Sequence, residues 1–159
     1  MGSHSDFCER LGGEPPVFTS SNTELACYLS TYRKTDRFIE HTYQMLQDTH
    51  SPFKLIYFSD HGLSQRTIDG KVYLRHSGDT RQNYEVPLLV LSDTDRQRIF
   101  VDEPHSAFEF IRLFARQAGI VVTHPELNTR VAGPGKRPTF NGQEMVDFDQ
   151  LANDPPELL

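Results

Sequence analysis

Two patterns of apolar positions predict the main elements in the first half of the chain. Residues 55–58 form a continuous apolar run, Leu-Ile-Tyr-Phe, which is typical of a strand that is covered on both faces. Between Thr23 and Asp48, apolar side chains recur at spacings of three and four, which predicts one long helix capped by Asn22 or Thr23. Its apolar stripe consists of Leu25, Tyr28, Leu29, Tyr32, Ile39, Tyr43 and Leu46, and Asp36 interrupts it.

Weaker patterns predict the elements that follow. Val72 to Leu74 forms a short strand after an Asp69–Gly70 turn, and Glu85 to Leu91 forms a strand in which Pro87 indicates an edge or a bulge. A second helix extends from Pro104 to Ala118 and stops at Gly119, and a last strand begins at Ile120 to Val122. Residues 120–159 are otherwise an irregular tail with a small hairpin at Asn141–Gly142.

Together these elements predict an α/β fold. Lys54 to Ser59 lies in the interior of a layered sheet, and the two helices pack on its faces. The 159 residues are expected to form one domain.

Charge and hydropathy exclude several classes of partner. The formal net charge is −6, and no basic stripe with interleaved aromatic residues is present, so nucleic acid is not expected as a partner. No apolar segment approaches the roughly 18 residues that cross a bilayer, so this chain by itself is expected to be soluble.

Chemistry-bearing residues follow the central strand directly. Gly62 permits a sharp turn, and the turn places Asp60 and His61 at the C-terminal edge of the strand, where ligands bind in open α/β sheets. A carboxylate beside an imidazole is half of a zinc site, although a polar turn that happens to contain histidine is the alternative. The predicted Asp69–Gly70 turn brings His76 back toward the same place.

The strand and its turn resemble a known motif. Phe58-Ser59-Asp60-His61-Gly62 is similar to the S-D-H-G signature of the alkaline phosphatase and sulfatase superfamily, in the form carried by phosphoethanolamine transferases. Three more segments resemble that family in the same order, and the likeness extends from Met1 to about Gly119. They are Gly2-Ser3-His4, Tyr73-Leu74-Arg75-His76 with one inserted residue, and Val86-Pro87-Leu88-Leu89.

The resemblance implies roles for four residues. Asp60 and His61 bind zinc or another divalent metal, which polarises a phosphoryl oxygen, and His4 and His76 lie beside the substrate phosphate. Gly2-Ser3-His4 also has a second interpretation, as the remnant of an expression tag. Leu63, where the family commonly has an acid, and the inserted Arg75 depart from the pattern, and either change is expected to alter substrate recognition.

The resemblance also implies that the chain is the C-terminal part of a longer protein. Family members have membrane helices in the inner membrane followed by a periplasmic catalytic domain, and they transfer phosphoethanolamine from a phospholipid donor to a lipid or glycan acceptor. Their threonine nucleophile and an acidic zinc ligand precede the segment that this chain matches. The isolated chain is therefore expected to be inactive and, with apolar surface exposed, to self-associate.

The two cysteines, Cys8 and Cys27, have alternative interpretations. In a cytosolic protein they are two unrelated thiols, and two are too few for a disulfide scaffold. In the periplasm, where the resemblance places the domain, a bridge between them would close a loop of about 19 residues and stabilise the fold by roughly 3 kcal/mol.

Other functions of the same sequence remain open. A sulfatase or a phosphodiesterase of the same superfamily is the near alternative to the transferase. A non-catalytic, degenerate or stand-alone binding domain is the third class, because the nucleophile does not occur in this chain.

Overall fold

The computed structural model describes residues 6–76, 80–102, 104–124 and 137–155. Within these ranges the strands pair as three antiparallel ribbons, β1 with β4, β2 with β3 and β5 with β6. No helix in these ranges has the length and apolar character that crossing a membrane requires. The elements are α1 (Phe7–Arg10), α2 (Thr23–Asp48), β1 (Lys54–Phe58), β2 (Ser64–Ile68), β3 (Lys71–Arg75), β4 (Leu88–Ser92), α3 (Phe110–Ala118), β5 (Pro138–Phe140) and β6 (Met145–Asp147).

Helices α2 and α3 each place an aromatic ring against the β1–β4 ribbon, on opposite faces. The ring of Tyr43 on α2 lies 5.3 Å from the ring of Phe53, the residue that precedes β1. The ring of Phe110 on α3 lies 4.8 Å from that of Phe58. Positions 53 and 58 differ by an odd number, and side chains alternate between the faces of a strand, so the two helices lie on different faces. The predicted α/β layering is confirmed.

The expectation that Lys54 to Ser59 lies in the interior of the sheet is wrong for the described chain. Strand β1 has β4 as its one neighbour among the described residues. Its central residues are half-buried, and Phe58 is 41% exposed. A strand is buried on both faces and both edges only when other strands flank it, and the described residues supply one flanking strand.

Helix α3 is shorter than the predicted helix from Pro104 to Ala118. A 3₁₀ turn at Ala107–Glu109 precedes it, and the α-helix begins at Phe110. It ends where predicted, because Gly119 adopts a left-handed conformation with φ of 68° and closes the last turn. The strand predicted at 120–122 is absent, and these residues are irregular and largely exposed.

The Cys8–Cys27 disulfide borders the hydrophobic core that joins α1, α2 and β3, with Cys27 inside the core and Cys8 exposed at its edge. Cys27 is buried, so one half of the bridge is itself a core side chain. Around the bridge pack Phe7 and Leu11 of the N-terminal segment and Leu74 of β3. The covalent bond therefore fixes the short helix α1, which is too short to be stable alone, against the long helix.

The buried side of α2 is offset from the predicted aromatic stripe. Its most buried residues are small, and Tyr32 of the predicted stripe is exposed. Small side chains allow the preceding loop to approach the helix, where Ser30 Oγ accepts a hydrogen bond from the Val17 backbone N–H at 2.9 Å. The buried residues of the helix are Ala26, Cys27, Ser30 and Thr31.

Reduction of the disulfide is expected to lower the free energy of unfolding by about 3 kcal/mol, because the bridge restricts the unfolded chain over a separation of 19 residues. Urea denaturation with and without reductant measures the change. The Cys8→Ser/Cys27→Ser variant should match the reduced wild type and should not respond to reductant. An unchanged urea midpoint after complete reduction would contradict the prediction.

Candidate functional site

The turn that follows β1 is held by its own hydrogen bonds. The Ser59 hydroxyl donates to the backbone carbonyl of His61 at 2.8 Å, and the His61 backbone N–H donates to Asp60 Oδ1 at 3.1 Å. These short-range bonds compact the turn, so both side chains of the candidate metal pair leave the strand at one place.

The ring of His61 has a defined tautomer when it is neutral. Its Nδ1 lies 2.8 Å from the carbonyl oxygen of Gly62. A carbonyl oxygen can only accept, so in the neutral ring Nδ1 carries the proton and Nε2 is the unprotonated nitrogen. A backbone acceptor on the second ring nitrogen is the usual arrangement for a histidine that binds metal.

The Asp60 carboxylate and His61 Nε2 fit two positions of a metal site. Asp60 Oδ2 lies 3.9 Å from His61 Nε2. Two ligands of a tetrahedral zinc ion lie about 3.4 Å apart, given bonds of about 2.0–2.2 Å, so the pair needs a small adjustment. The Asp60 side chain is 81% exposed and has room to make it. Across the described ranges no group of three or more potential ligands is present.

The β2–β3 hairpin brings His76 next to His61. The two-residue turn at Asp69–Gly70 has positive φ at both positions, 50° and 73°, which matches the right-handed twist of the paired strands. Ser64 pairs with Arg75 at the open end of the hairpin, so the residues just outside this pair converge. The rings of His61 and His76 lie 4.2 Å apart between centroids.

Leu63 and Arg75, which depart from the family pattern, each contact another part of the fold. Leu63 packs against the core cluster around the disulfide. Arg75 donates from Nη1 to Glu24 Oε1 at 3.2 Å, and its guanidinium lies over the ring of Tyr73. Glu24 is in the first turn of α2, so this pair fastens the end of β3, and with it the position of His76, to the long helix.

Gly62 lies against the 3₁₀ turn Arg81–Asn83 at a distance that only glycine permits. The Gly62 N–H donates to the backbone carbonyl of Asn83 at 2.7 Å. A Cβ at position 62 would overlap the backbone carbonyl oxygen of Gln82. The predicted need for glycine is therefore real, and its cause is this close approach of two backbone segments.

A cavity of about 280 Å³ opens at this place. Sequence reasoning found three of the residues that line it, Asp60, His61 and His76. It missed the others, because they come from later segments that the tertiary fold brings in. Those residues are Asn83, Tyr84, Phe140, Asn141 and Gly142.

Tyr84 is one of the residues that line this cavity. Burial raises the pKa of Tyr84, and a hydrogen bond with Asn83 opposes part of that rise. The phenol is therefore protonated at neutral pH.

The remaining candidate, His4, lies outside the described residues, as does the whole of Gly2-Ser3-His4. The structure therefore places three of the four candidate residues together.

Comparisons with known proteins agree on one family. The sulfatase family model matches residues 1–120. Phosphoethanolamine transferase OpgE of Escherichia coli K12 is 34% identical over 160 residues, which cover 97% of this chain and 30% of OpgE. A Haemophilus influenzae protein provisionally named a phosphoethanolamine transferase is 35% identical over 81 residues, 45% of this chain and 17% of that protein. No solved structure matches significantly. The chain thus spans about a third of the length of OpgE and less of the other relative.

Substitution Gly62→Ala is expected to lower the free energy of unfolding by about 1–3 kcal/mol and to displace the Asp60–His61 turn, because the added methyl group overlaps main-chain atoms. Urea denaturation measures the stability, and the imidazole proton signals of His61 and His76 report the displacement.

The control is a second change, Gln82→Ala, in the Gly62→Ala background. The overlap is with the backbone of Gln82 and not with its side chain, so the second change should restore neither stability nor the imidazole signals. Wild-type stability and spectra in Gly62→Ala would contradict the close approach.

Proposed function

The chain belongs to the sulfatase family, and we propose that it is the C-terminal part of a metal-dependent phosphoethanolamine transferase that acts on a cell-envelope lipid or glycan. The observation that carries the proposal is the meeting of Asp60, His61 and His76 at one cavity. All three lie in the segment that the sulfatase model matches, in a chain that aligns over 97% of its length with OpgE.

Asp60 and His61 would hold zinc or another divalent ion. His61 Nε2 lies 3.9 Å from Asp60 Oδ2, and the Gly62 carbonyl accepts a hydrogen bond from the other nitrogen of the ring. When bound, such an ion stabilises the negative charge that develops on a phosphoryl oxygen during transfer. The contribution of this chain is to orient the two ligands on a turn that the strand β1 and the Asn83 carbonyl hold in place.

His76 would bind the phosphate end of the substrate. Its ring lies beside His61 at the cavity wall, and it is exposed, so a phosphoryl oxygen has access to it. An imidazole N–H donates a strong hydrogen bond to an anionic oxygen, more so when the ring is protonated. We propose the same phosphate-side role for His4.

The disulfide supports a location outside the cytoplasm. Bridges between cysteines persist in oxidising compartments such as the bacterial periplasm and are rare in the cytosol. Cys8 and Cys27 are paired, and Cys27 is a core residue. We therefore propose a periplasmic catalytic domain in a longer inner-membrane protein, with a phospholipid as the donor.

Sulfatase or phosphodiesterase activity is the second candidate function. The family model that matches is the sulfatase model, and a sulfate ester presents the same tetrahedral group of oxygens to Asp60, His61 and His76 as a phosphate ester.

The chain is expected to bind zinc weakly, because it offers two ligands and leaves the rest of a tetrahedral shell to water. Isothermal titration calorimetry should detect binding that Asp60→Ala and His61→Ala each remove. The matched control is His41→Ala, which removes an exposed histidine on α2. Binding that persists in both site variants would place the metal elsewhere.

The isolated chain is expected to transfer no phosphoethanolamine and to form a dimer or larger species. A misplacement of about 1 Å at a reacting centre already costs around a hundredfold, and a nucleophile that comes from another segment is not placed at all. Large apolar side chains are exposed over α3, the 3₁₀ turn before it and two loops, which favours association. They are Ile99, Phe100, Val101, Phe108, Ile111, Phe114, Ile120 and Val121. Light scattering and a transfer assay with labelled phosphatidylethanolamine measure the two properties.

The decisive comparison uses a longer protein that contains this chain. It should transfer labelled phosphoethanolamine to an envelope lipid or glycan, His61→Ala should abolish transfer, and His41→Ala should not. Hydrolysis of sulfate esters without transfer would favour the second candidate function. Robust turnover by the isolated chain that His61→Ala abolishes would show that the chain already contains a complete site.

A further inference from the structure

The β5–β6 hairpin forms a wall of the candidate site although it comes from a distant part of the chain. Its residues Phe140, Asn141 and Gly142 line the same cavity as Asp60 and His61. The sulfatase model ends at residue 120, so this wall lies beyond the segment that the family model matches. A loop or hairpin outside the shared family segment can determine which substrate binds, while the family residues bind the phosphate group.

Arg81 anchors the base of this hairpin. Its Nε donates to the Leu151 carbonyl at 3.0 Å and its Nη2 to the Asp149 carbonyl at 2.8 Å. Its backbone N–H donates to the Ala152 carbonyl at 2.9 Å. Its guanidinium also lies over the ring of Phe148, the residue that directly follows β6. A planar guanidinium makes several such bonds in one fixed geometry, so the C-terminal segment has a defined position.

The same 3₁₀ turn holds both sides of the cavity. It begins at Arg81, which binds the hairpin base, and it ends at Asn83, whose carbonyl accepts from Gly62. The metal-side turn and the hairpin are therefore positioned by one three-residue element. The hairpin turn is itself ordered, since Asn141 Oδ1 accepts from the backbone N–H groups of Gln143 and Glu144, both at 2.9 Å.

The wall presents aromatic surface. Phe140 is 51% exposed, and Tyr84 is the second aromatic residue that lines the cavity. The face of an aromatic ring attracts an organic cation through its quadrupole. At about 280 Å³ the cavity is just below the typical volume of ligand sites, about 300–1,000 Å³, so it suits a headgroup and not a whole phospholipid.

We propose that Phe140 is a specificity residue that contacts the ammonium end of the transferred phosphoethanolamine group. This inference rests on the proposed function. Asp60, His61 and His76 then face the phosphate end of the same group. The hairpin selects phosphate esters that carry a cation, and the family residues handle the phosphate.

The test measures binding to the chain by NMR titration in a buffer that contains zinc. Three probes separate the contributions: inorganic phosphate, O-phosphoethanolamine, and n-propyl phosphate, which replaces the ammonium group by a methyl group of similar size. Phe140→Leu keeps an apolar side chain and removes the ring. Met145→Leu is the matched control, because Met145 pairs with Phe140 across the hairpin and is exposed but does not line the cavity.

The wild type should prefer O-phosphoethanolamine to n-propyl phosphate, and Phe140→Leu should reduce that preference by about two- to fivefold. Inorganic phosphate affinity should stay unchanged in Phe140→Leu, and Met145→Leu should behave as wild type. Retention of the full preference by Phe140→Leu, or its absence in the wild type, would overturn the inference while phosphate binding still supports the proposed function. Failure of the wild type to bind inorganic phosphate would overturn both.

Discussion

The contact between Gly62 and the 3₁₀ turn Arg81–Asn83 is the constraint on which the rest of the site depends. Two stretches of backbone meet so closely that no side chain fits between them, and one hydrogen bond of 2.7 Å joins them. From this contact the Asp60–His61 turn extends in one direction and the C-terminal segment in the other. The geometry of the cavity is therefore set by main-chain packing, and the side chains that line the cavity depend on that packing for their positions.

Sequence patterns located the elements whose signals are local. The bounds of α2 follow from its periodicity and from Asn22, whose Oδ1 accepts from the Leu25 N–H as an N-cap does. Strand β1 follows from its apolar run. Strand β2 was missed because Ser64–Ile68 is mostly polar, and its pairing is imposed by the Asp69–Gly70 turn and by β3. The burial of β1 was overestimated because burial depends on neighbouring strands that a local pattern does not specify.

Some residues of the candidate site can be predicted from local sequence signals, and others cannot. Asp60 and His61 are neighbours in the sequence. The Asp69–Gly70 turn predicts that His76 lies close to them. Tyr84 and Phe140 carry no such signal, because Arg81 brings their segments together through backbone carbonyls that any sequence possesses. The Asn141–Gly142 turn was recognisable as a hairpin, but its position against residue 60 was not. Placement of that kind is a property of the tertiary fold.

Because the position of the hairpin depends on Arg81, the hairpin docks late in folding. The partners of Arg81 lie about 70 residues later in the chain, so this contact has one of the longest loop closures in the described structure. The long helix, the disulfide loop and the β2–β3 hairpin involve nearer neighbours and have shorter loops to close. During synthesis, at about 5–20 residues per second, residues 149–152 follow Arg81 by several seconds, and Phe140 has no fixed place at the cavity until they dock. Docking of the β5–β6 hairpin is thus expected to be the last event of folding, so the cavity is completed only after the turn that carries Asp60 and His61 has formed.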